Sequence, residues 1–262
     1  MKKTFVTLFP SLLLAVAPCL AEECRCAKPA ACAGGACCAK SACPETAPNT
    51  LSPCEKKNGW KLLFNGNDLD GWRCARKDSL PASGWVVRDG ELTILSKKES
   101  PKRPGDLITR DVYKDFILEV EFKLTHAANS GIKYFFDPNV NGGTTLEFQV
   151  LDDNHPDAKK GRDGNRRIAS FYDVMPAAGQ EPAPLGQWNR ARIVSRGNHV
   201  EHWLNGKKVL TFERGSEAFR AAVAKSKFAK WPKWGETPAG HILLQDHLDH
   251  VSYRNIKIKT LD

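Results

Sequence analysis

The feature that most constrains the fold is a two-residue repeat of hydrophobic side chains. Between residues 116 and 124, every second residue is large and apolar, and three of the four residues between them are charged. Successive side chains of a β-strand point to opposite faces, so this repeat predicts a strand with one buried and one mostly polar face. The period is two, not the 3.6 residues of an α-helix.

Similar patterns occur further along the chain. Residues 145–151 alternate in the same way, residues 199–204 and 207–212 flank an Asn-Gly pair typical of a tight hairpin turn, and residues 251–260 read as a final strand. Only residues 216–230 have a helical pattern. We therefore predict an all-β fold, a jelly-roll sandwich of two antiparallel sheets with one short helix.

The N-terminus indicates export. Lys2 and Lys3 precede an apolar stretch that ends at the small residue Ala21, so residues 1–21 are predicted to be a signal peptide. We expect a secreted protein, periplasmic or extracellular, with no transmembrane span. Cleavage would lower the formal net charge from +9 to +7. The basic residues are scattered rather than clustered, which favours a solvated surface over nucleic-acid binding.

Residues 22–57 are rich in Ala, Cys, Pro and Lys and contain almost no large apolar residues, which predicts a tether. Seven of the nine cysteines fall in this segment, at positions 24, 26, 32, 37, 38, 43 and 54. In an oxidising compartment, disulfides or a disordered tether are favoured over a metal site, and Cys74 is a further pairing candidate. Residues 58–262 form one predicted domain.

Two pairs of polar residues are the strongest candidates for a functional site. Strand alternation places Glu147 and Gln149 on one face, and the same reasoning places Gln245 and His247 together. Amides and carboxylates on a concave sheet face commonly bind sugar hydroxyls. From the pattern alone, a solvated sheet face explains Glu147 and Gln149 equally well.

Two further segments have competing interpretations. Asn129-Ser130-Gly131 could present an amide to a ligand or form a turn that needs glycine. Residues 152–157 contain enough oxygen ligands for Ca²⁺, although a solvated turn is favoured because the EF-hand spacing is missing.

The chain also resembles a known family, the 3-keto-disaccharide hydrolases. The similar blocks cover residues 59–262 and occur in the family's order: LFNGNDLDGW, DFILEVEFKL, NSGIKYF, LEFQVLDDNHPDA, ASFYDVMPA, QWNRARIV, HVEHWLNGKKV and ILLQDHLDHVSYRNIKIK. The resemblance implies a concanavalin-like jelly roll and cleavage of 3-keto-glycosides. It also implies a separate oxidoreductase that oxidises the sugar at C3.

The implied reaction needs a base, a stabiliser for an enolate oxygen and, as an option, a divalent metal ion of unknown identity. On the family pattern, Glu147 and His247 are the expected base or metal ligand, without a division of roles. Gln149, Gln245 and Asn129 are the expected substrate contacts. A non-catalytic, lectin-like carbohydrate-binding module on the same sandwich is the alternative function.

The sequence departs from the commonest family pattern at a few positions. Phe135 replaces an arginine, Ala169-Ser170 replaces a more usual Gly-Ala or Ala-Ser pair, and Leu248 replaces a glycine after His247. A non-glycine residue does not easily adopt a positive φ. Leu248 is therefore expected to alter the loop that carries His247.

Overall fold

The alternating segments build two antiparallel sheets in the computed structural model, which describes residues 46–140 and 145–261. The strands are β1 Trp60–Leu62, β2 Trp72–Cys74, β3 Trp85–Arg88, β4 Glu91–Ile94, β5 Leu107–Thr109, β6 Phe116–Leu124, β7 Asn129–Phe136, β8 Leu146–Leu151, β9 Trp188–Arg196, β10 His199–Leu204, β11 Lys207–Glu213, β12 His241–Leu244 and β13 Val251–Thr260. The helices are α1 Pro53–Lys57, a 3₁₀ turn at Pro156–Lys160, and α2 Glu217–Ala224.

The larger sheet has eight strands and the smaller has five. The order in the larger sheet is β11-β10-β9-β6-β13-β4-β3, with β1 also paired to β13. The order in the smaller sheet is β2-β5-β12-β7-β8. The predicted all-β, concanavalin-like jelly-roll sandwich is confirmed.

The core lies between the two sheets. Phe116 and Phe122 of β6 meet Tyr134 of β7 and Phe148 of β8, with ring centroids 6.2 and 6.4 Å apart. All four side chains are fully buried. Side chains alternate along a strand, so Lys133 of β7 and Glu147 of β8, which precede Tyr134 and Phe148, point to the outer face of the smaller sheet.

Two polar contacts join the sheets inside this core. The hydroxyl of Tyr134 lies 2.8 Å from Nε2 of His202, whose Nδ1 lies 2.9 Å from the carbonyl of Ala169. The carbonyl can only accept, so Nδ1 carries the proton and Nε2 accepts from the tyrosine. Tyr253 of β13 donates to Ser130 of β7 at 2.6 Å.

The predicted helix over residues 216–230 is too long, because α2 ends at Ala224. The backbone N–H of Lys227 donates to Asp173, and that of Phe228 donates to the hydroxyl of Ser226. These side chains take the amides that a longer helix would direct to its own carbonyls.

The folded unit extends upstream of residue 58. Asn49 exchanges hydrogen bonds with Asn255, and Glu55 of α1 pairs with Lys257 of β13. Residues 49–57 therefore pack on the domain, although their composition suggested a tether. The predicted signal peptide and the cysteines from 24 to 43 lie outside the described residues.

Cys74 is buried in β2 and forms no disulfide within the described residues. In the part of the chain that the structure describes, no helix has the length and apolar character needed to cross a membrane.

His202 should make the fold sensitive to acid. Burial lowers its pKa from 6.5 to about 4. The unfolded chain therefore binds one more proton than the native state between these pH values, so stability falls as the pH drops through this window. The loss should total about 3 kcal/mol.

Urea unfolding at several pH values measures this effect. His202→Gln, which cannot titrate, should show a smaller loss of stability between pH 6.5 and 4 than the wild type. Equal pH dependence in the two proteins would show that His202 does not contribute.

Candidate active site

A cleft of about 990 Å³ covers the outer face of the five-stranded sheet. This volume lies at the upper end of the range for small-molecule sites. Polar and charged side chains from β7, β8 and the segment after β12 form one part of its lining: Asn129, Lys133, Glu147, Gln149, Gln245 and His247. All five sequence-predicted site residues are therefore brought into one cleft.

Strand register explains why these side chains meet. Gly131 of β7 is opposite Gln149 of β8, and Lys133 is opposite Glu147. Cross-strand partners lie on the same face, so the two polar residues of β8 share the cleft face with their partners. Asn129 is the first residue of β7, which excludes the turn interpretation of its segment.

Glu147 and Gln149 do not lie on a solvated sheet face. Their exposed fractions are 6% and 1%. A Cβ at Gly131 would lie 2.2 Å from Oε1 of Glu147, so the glycine leaves the space that this carboxyl occupies. The two residues are thus enclosed polar groups in a cleft floor.

Burial raises the pKa of Glu147 above its usual range, and the nearby ammonium of Lys133 opposes this shift. The Lys133 Nζ lies 3.6 Å from Oε2. The positive charge of Lys227, at the rim of the cleft, also opposes the rise in the pKa of Glu147. Partial desolvation lowers the pKa of Lys227 itself. The floor therefore holds a carboxyl that can exchange a proton near two cations.

His247 is oriented by Asp249. Its Nδ1 lies 3.1 Å from Oδ2 of Asp249, and the same oxygen accepts the backbone N–H of Asn129 at 3.2 Å. The carboxylate accepts, so Nδ1 carries the proton and Nε2 holds the lone pair. A histidine held in this way is arranged as a base.

An amide pair lies beside this histidine. Nδ2 of Asn129 is 3.4 Å from Nε2 of His247, and Nε2 of Gln149 donates to Oδ1 of Asn129 at 3.3 Å. Oε1 of Gln149 is buried and has no hydrogen-bond partner in the described residues. Buried oxygens are normally paired, so this atom is a candidate contact for a ligand hydroxyl.

The core positions the segment that carries Gln245 and His247. Ser130, which accepts from Tyr253, donates to the carbonyl of Gln245 at 2.6 Å. The backbone N–H of Gln245 donates to the backbone carbonyl of Gly131 at 2.9 Å. The buried end of this segment is thus tied to both sheets.

Leu248 adopts a positive φ of 66°, although it replaces a glycine of the common family pattern. The backbone N–H of Leu248 donates to Asp246, a fully buried carboxylate. The loop therefore has a left-handed conformation at Leu248. Left-handed conformations are strained for residues with a Cβ.

Several cleft residues were missed from the sequence. Lys133 was not predicted, although it lies on the same strand face as Asn129. Asp249 belongs to the run of titratable residues that follows Gln245, but its pairing with His247 was not predicted. An aromatic wall also lines the cleft: Tyr172 belongs to the ASFYDVMPA block, whereas Phe228 and Trp231 come from the segment after α2, which has no motif. Phe228 stacks on Trp234 with centroids 4.0 Å apart, which ties this wall to the core.

Metal-ligand candidates differ in part from the expected pair. Among the described residues, His155, His247 and Asp249 bring ligand atoms within 4.8 Å of one another. Glu147 does not belong to this group. Two of the three acids in residues 152–157 have protein partners instead: Asp152 accepts the backbone N–H groups of Ala127 and Asn154, and Asp153 pairs with Arg167.

Comparisons with known proteins agree on one family. The model of the 3-keto-alpha-glucoside-1,2-lyase-like domain matches residues 59–259. A Bacteroides thetaiotaomicron protein named 3-keto-disaccharide hydrolase is 37% identical over 231 residues, which cover 78% of this chain and 79% of that protein.

Solved structures from Parabacteroides distasonis are also similar. One, described as a candidate glycosyl hydrolase, has 30% identity and a TM-score of 0.72, and covers 82% of this chain and all of that chain. A second protein with the same description has 26% identity and a TM-score of 0.60, and covers 78% of this chain and all of that chain.

Because the wild-type carboxyl of Glu147 is buried, the stability of Glu147→Gln relative to the wild type should depend on pH. A carboxyl with a raised folded-state pKa loses its stabilising contribution as the pH rises from its unfolded value, near 4.5, through the folded value. Gln has no such loss and can still accept from Lys133. The stability of the variant relative to the wild type should therefore increase with pH.

Thermal unfolding between pH 4 and 8 measures this difference. Glu99→Gln is the matched control, because hydrogen bonds from His250 and Ser96 lower the pKa of Glu99 to about 2. This pKa shift acts below about pH 4.5, so the stability of Glu99→Gln relative to the wild type should fall slightly just above pH 4 and should not show the increase expected of Glu147→Gln. A Glu147→Gln difference that stays constant with pH would contradict the raised pKa.

Proposed function

We propose that this chain, which belongs to the 3-keto-alpha-glucoside-1,2-lyase-like domain family, cleaves the glycosidic bond of 3-keto-glycosides. The observation that carries the proposal is the His247–Asp249 pair, which shares a cleft with Glu147, a buried carboxyl of raised pKa. Two groups that exchange protons, held in one cleft, are what an elimination requires.

The proposed reaction uses the acidity that a ketone at C3 gives to the proton at C2. A base removes this proton, and the electron pair forms an enolate with its charge on the C3 oxygen. The enolate then expels the glycosidic oxygen from C1. This oxygen takes up a proton, and the aglycone leaves as an alcohol. Water adds across the resulting C1–C2 double bond, so that the net reaction is hydrolysis.

His247 is assigned as the base. Its Nε2 lies on the Asn129 side of the ring, and Asp249 stabilises the imidazolium that forms when the ring takes a proton. Asp249 is a positioning residue, since it acts through His247. This division of roles separates His247 from Glu147, which the sequence left together.

Glu147 is assigned as the proton donor to the departing oxygen. A carboxyl whose pKa is raised by burial retains its proton to higher pH than an exposed one. Lys133 and Lys227 place positive charge close to it, where a developing enolate oxygen would be stabilised.

The rest of the cleft suits a sugar ring. Tyr172, Phe228 and Trp231 offer aromatic faces, and Gln149 and Gln245 offer amide groups. Aromatic walls with a few oriented polar groups are typical of sites for small polar ligands. These residues support a carbohydrate substrate equally for an enzyme and for a lectin-like module.

A divalent cation could use the donors of His155, His247 and Asp249, a set of two imidazoles and a carboxylate that transition metals accept. Such a cation would supply a Lewis acid for an oxygen of the substrate. However, Nδ1 of His247 and Oδ2 of Asp249 already form a hydrogen bond. The present arrangement therefore fits histidine orientation better than coordination, and no step of the reaction is assigned to a metal.

Two wider proposals concern the source of the substrate and the place of the reaction. A glycoside with a ketone at C3 requires a separate oxidoreductase that oxidises the C3 hydroxyl. Export through residues 1–21 would place the reaction in the periplasm or outside the cell.

An assay with a chromogenic 3-keto-glucoside tests the proposed function. The wild type should release the aglycone, and His247→Ala should lower kcat/KM by about 10²-fold or more. Asp249→Asn should lower kcat while KM changes little, because it disturbs the base. His250→Gln is the matched control, since His250 pairs with Glu99 outside this cleft.

Parallel reactions with EDTA test the cation directly. Cleavage that survives EDTA supports the assignment without a metal, and cleavage lost with EDTA and restored by a divalent ion contradicts it. Binding of the glucoside without release of the aglycone would favour the lectin-like module.

A further inference from the structure

We infer that Asp157, acting through the amide of Asn129, makes Gln149 Oε1 the acceptor for one hydroxyl of the bound ligand. The identification of that ligand as a keto-sugar depends on the proposed function. Asp157 lies in the 3₁₀ turn Pro156–Lys160 and lines the cleft. It is a positioning residue, because its effect reaches the ligand through two other side chains.

Asp157 determines which way the Asn129 amide points. Lys160 pairs with Oδ1 of Asp157 at 2.7 Å, and Oδ2 faces Nδ2 of Asn129 at 3.5 Å. An ion-paired carboxylate has only acceptors to offer, so Asn129 must present its NH₂ group to it. The opposite end of the amide, Oδ1, then faces Gln149.

The orientation of Asn129 fixes that of Gln149. Oδ1 of Asn129 can only accept, so Gln149 must direct its NH₂ group towards it, as the 3.3 Å contact shows. Oε1 of Gln149 is left on the other side of its amide, buried and without a partner in the described residues. A ligand O–H in the cleft would supply the missing donor.

The same amide also faces the base. Nδ2 of Asn129 lies 3.4 Å from Nε2 of His247, which must therefore accept. Asp249 requires the same arrangement from the other side, because it accepts from Nδ1. Asp157 and Asp249 therefore require the same donor and acceptor assignment for Asn129 and His247.

The ligand class follows from this polarity. Oε1 of Gln149 is an acceptor that a ligand hydroxyl can satisfy and that a group with acceptors alone cannot. Replacing that hydroxyl with hydrogen or fluorine should weaken binding, because Oε1 would stay unpaired. Sites built to hydrogen-bond a hydroxyl reject analogues that lack it strongly.

Deoxy analogues measure this discrimination. The chromogenic 3-keto-glucoside is compared with its 2-, 4- and 6-deoxy forms. In the wild type, one deoxy form should lose about 10²-fold in kcat/KM, the cost of one unpaired buried acceptor. In Gln149→Met, which keeps the size but removes the acceptor, the same deoxy form and the parent should react with similar kcat/KM.

A pair of variants tests the role of Asp157. Asp157→Asn can present either end of its amide to Asn129, so discrimination and kcat should both fall. The double variant Asn129→Asp/Asp157→Asn exchanges the polarity, and its residue 129 again accepts from Gln149. It should recover the discrimination while kcat stays low, because a carboxylate now faces Nε2 of His247.

Asp153→Asn is the control, since Asp153 lies in the same loop but pairs with Arg167 outside the cleft. It should keep both discrimination and kcat. Unchanged discrimination in Asp157→Asn, or a folded double variant without recovery, would contradict the role of Asp157. A purely structural role would not produce recovery in one parameter alone.

Binding of non-oxidised methyl glucoside and its deoxy forms, followed by calorimetry, separates this inference from the proposed function. If the wild type does not cleave the keto-sugar but binds the glucosides with Gln149-dependent discrimination, the inference is supported and the proposed function fails. If it cleaves the keto-sugar but treats all deoxy forms like the parent, the inference fails alone.

Discussion

Strand β8 is buried on both faces, and the arrangement of the site depends on this constraint. Phe148 and Val150 face the core between the sheets, whereas Glu147 and Gln149 face the cleft and are nearly as inaccessible. Polar groups that are this little exposed are normally paired, so each is expected to have a side chain, a ligand or a water of the cleft as its partner. The carboxyl of Glu147 has a raised pKa and lies close to Lys133, and the amide of Gln149 donates to Asn129.

The sandwich core holds these groups in place. Tyr253 and Ser130 carry hydrogen bonds from the larger sheet to the carbonyl of Gln245, just upstream of His247, which we propose as the base. On the other side of the cleft, Phe228 stacks on Trp234, which stacks in turn on the buried Phe171. Proton-transfer groups need such support, because small displacements of catalytic groups are costly to the rate. The fold therefore contributes positioning as well as stability.

Strand alternation correctly predicted that Glu147 and Gln149 share one face of β8, because the direction of a side chain follows from its place in a strand. The same reasoning does not account for Gln245 and His247, because β12 ends at Leu244 and both residues lie in the segment after it. Alternation also could not predict Asp157 or the pairing of His247 with Asp249, since these depend on loops that fold back over the sheet. The early end of α2 has a similar cause: Asp173, distant in sequence, takes the amide of Lys227.

In the proposed reaction, the glycosidic bond breaks by elimination across C1 and C2. The most direct measurement is cleavage of the 3-keto-glucoside in D₂O, followed by NMR, with released 3-keto-glucose kept in enzyme-free D₂O as the exchange control. Once the proton taken from C2 has exchanged with solvent on the base, hydration returns deuterium to that carbon, so the product should carry deuterium there in excess of the control. A product without deuterium at C2, together with the same cleavage rate for a substrate deuterated at C2, would contradict elimination.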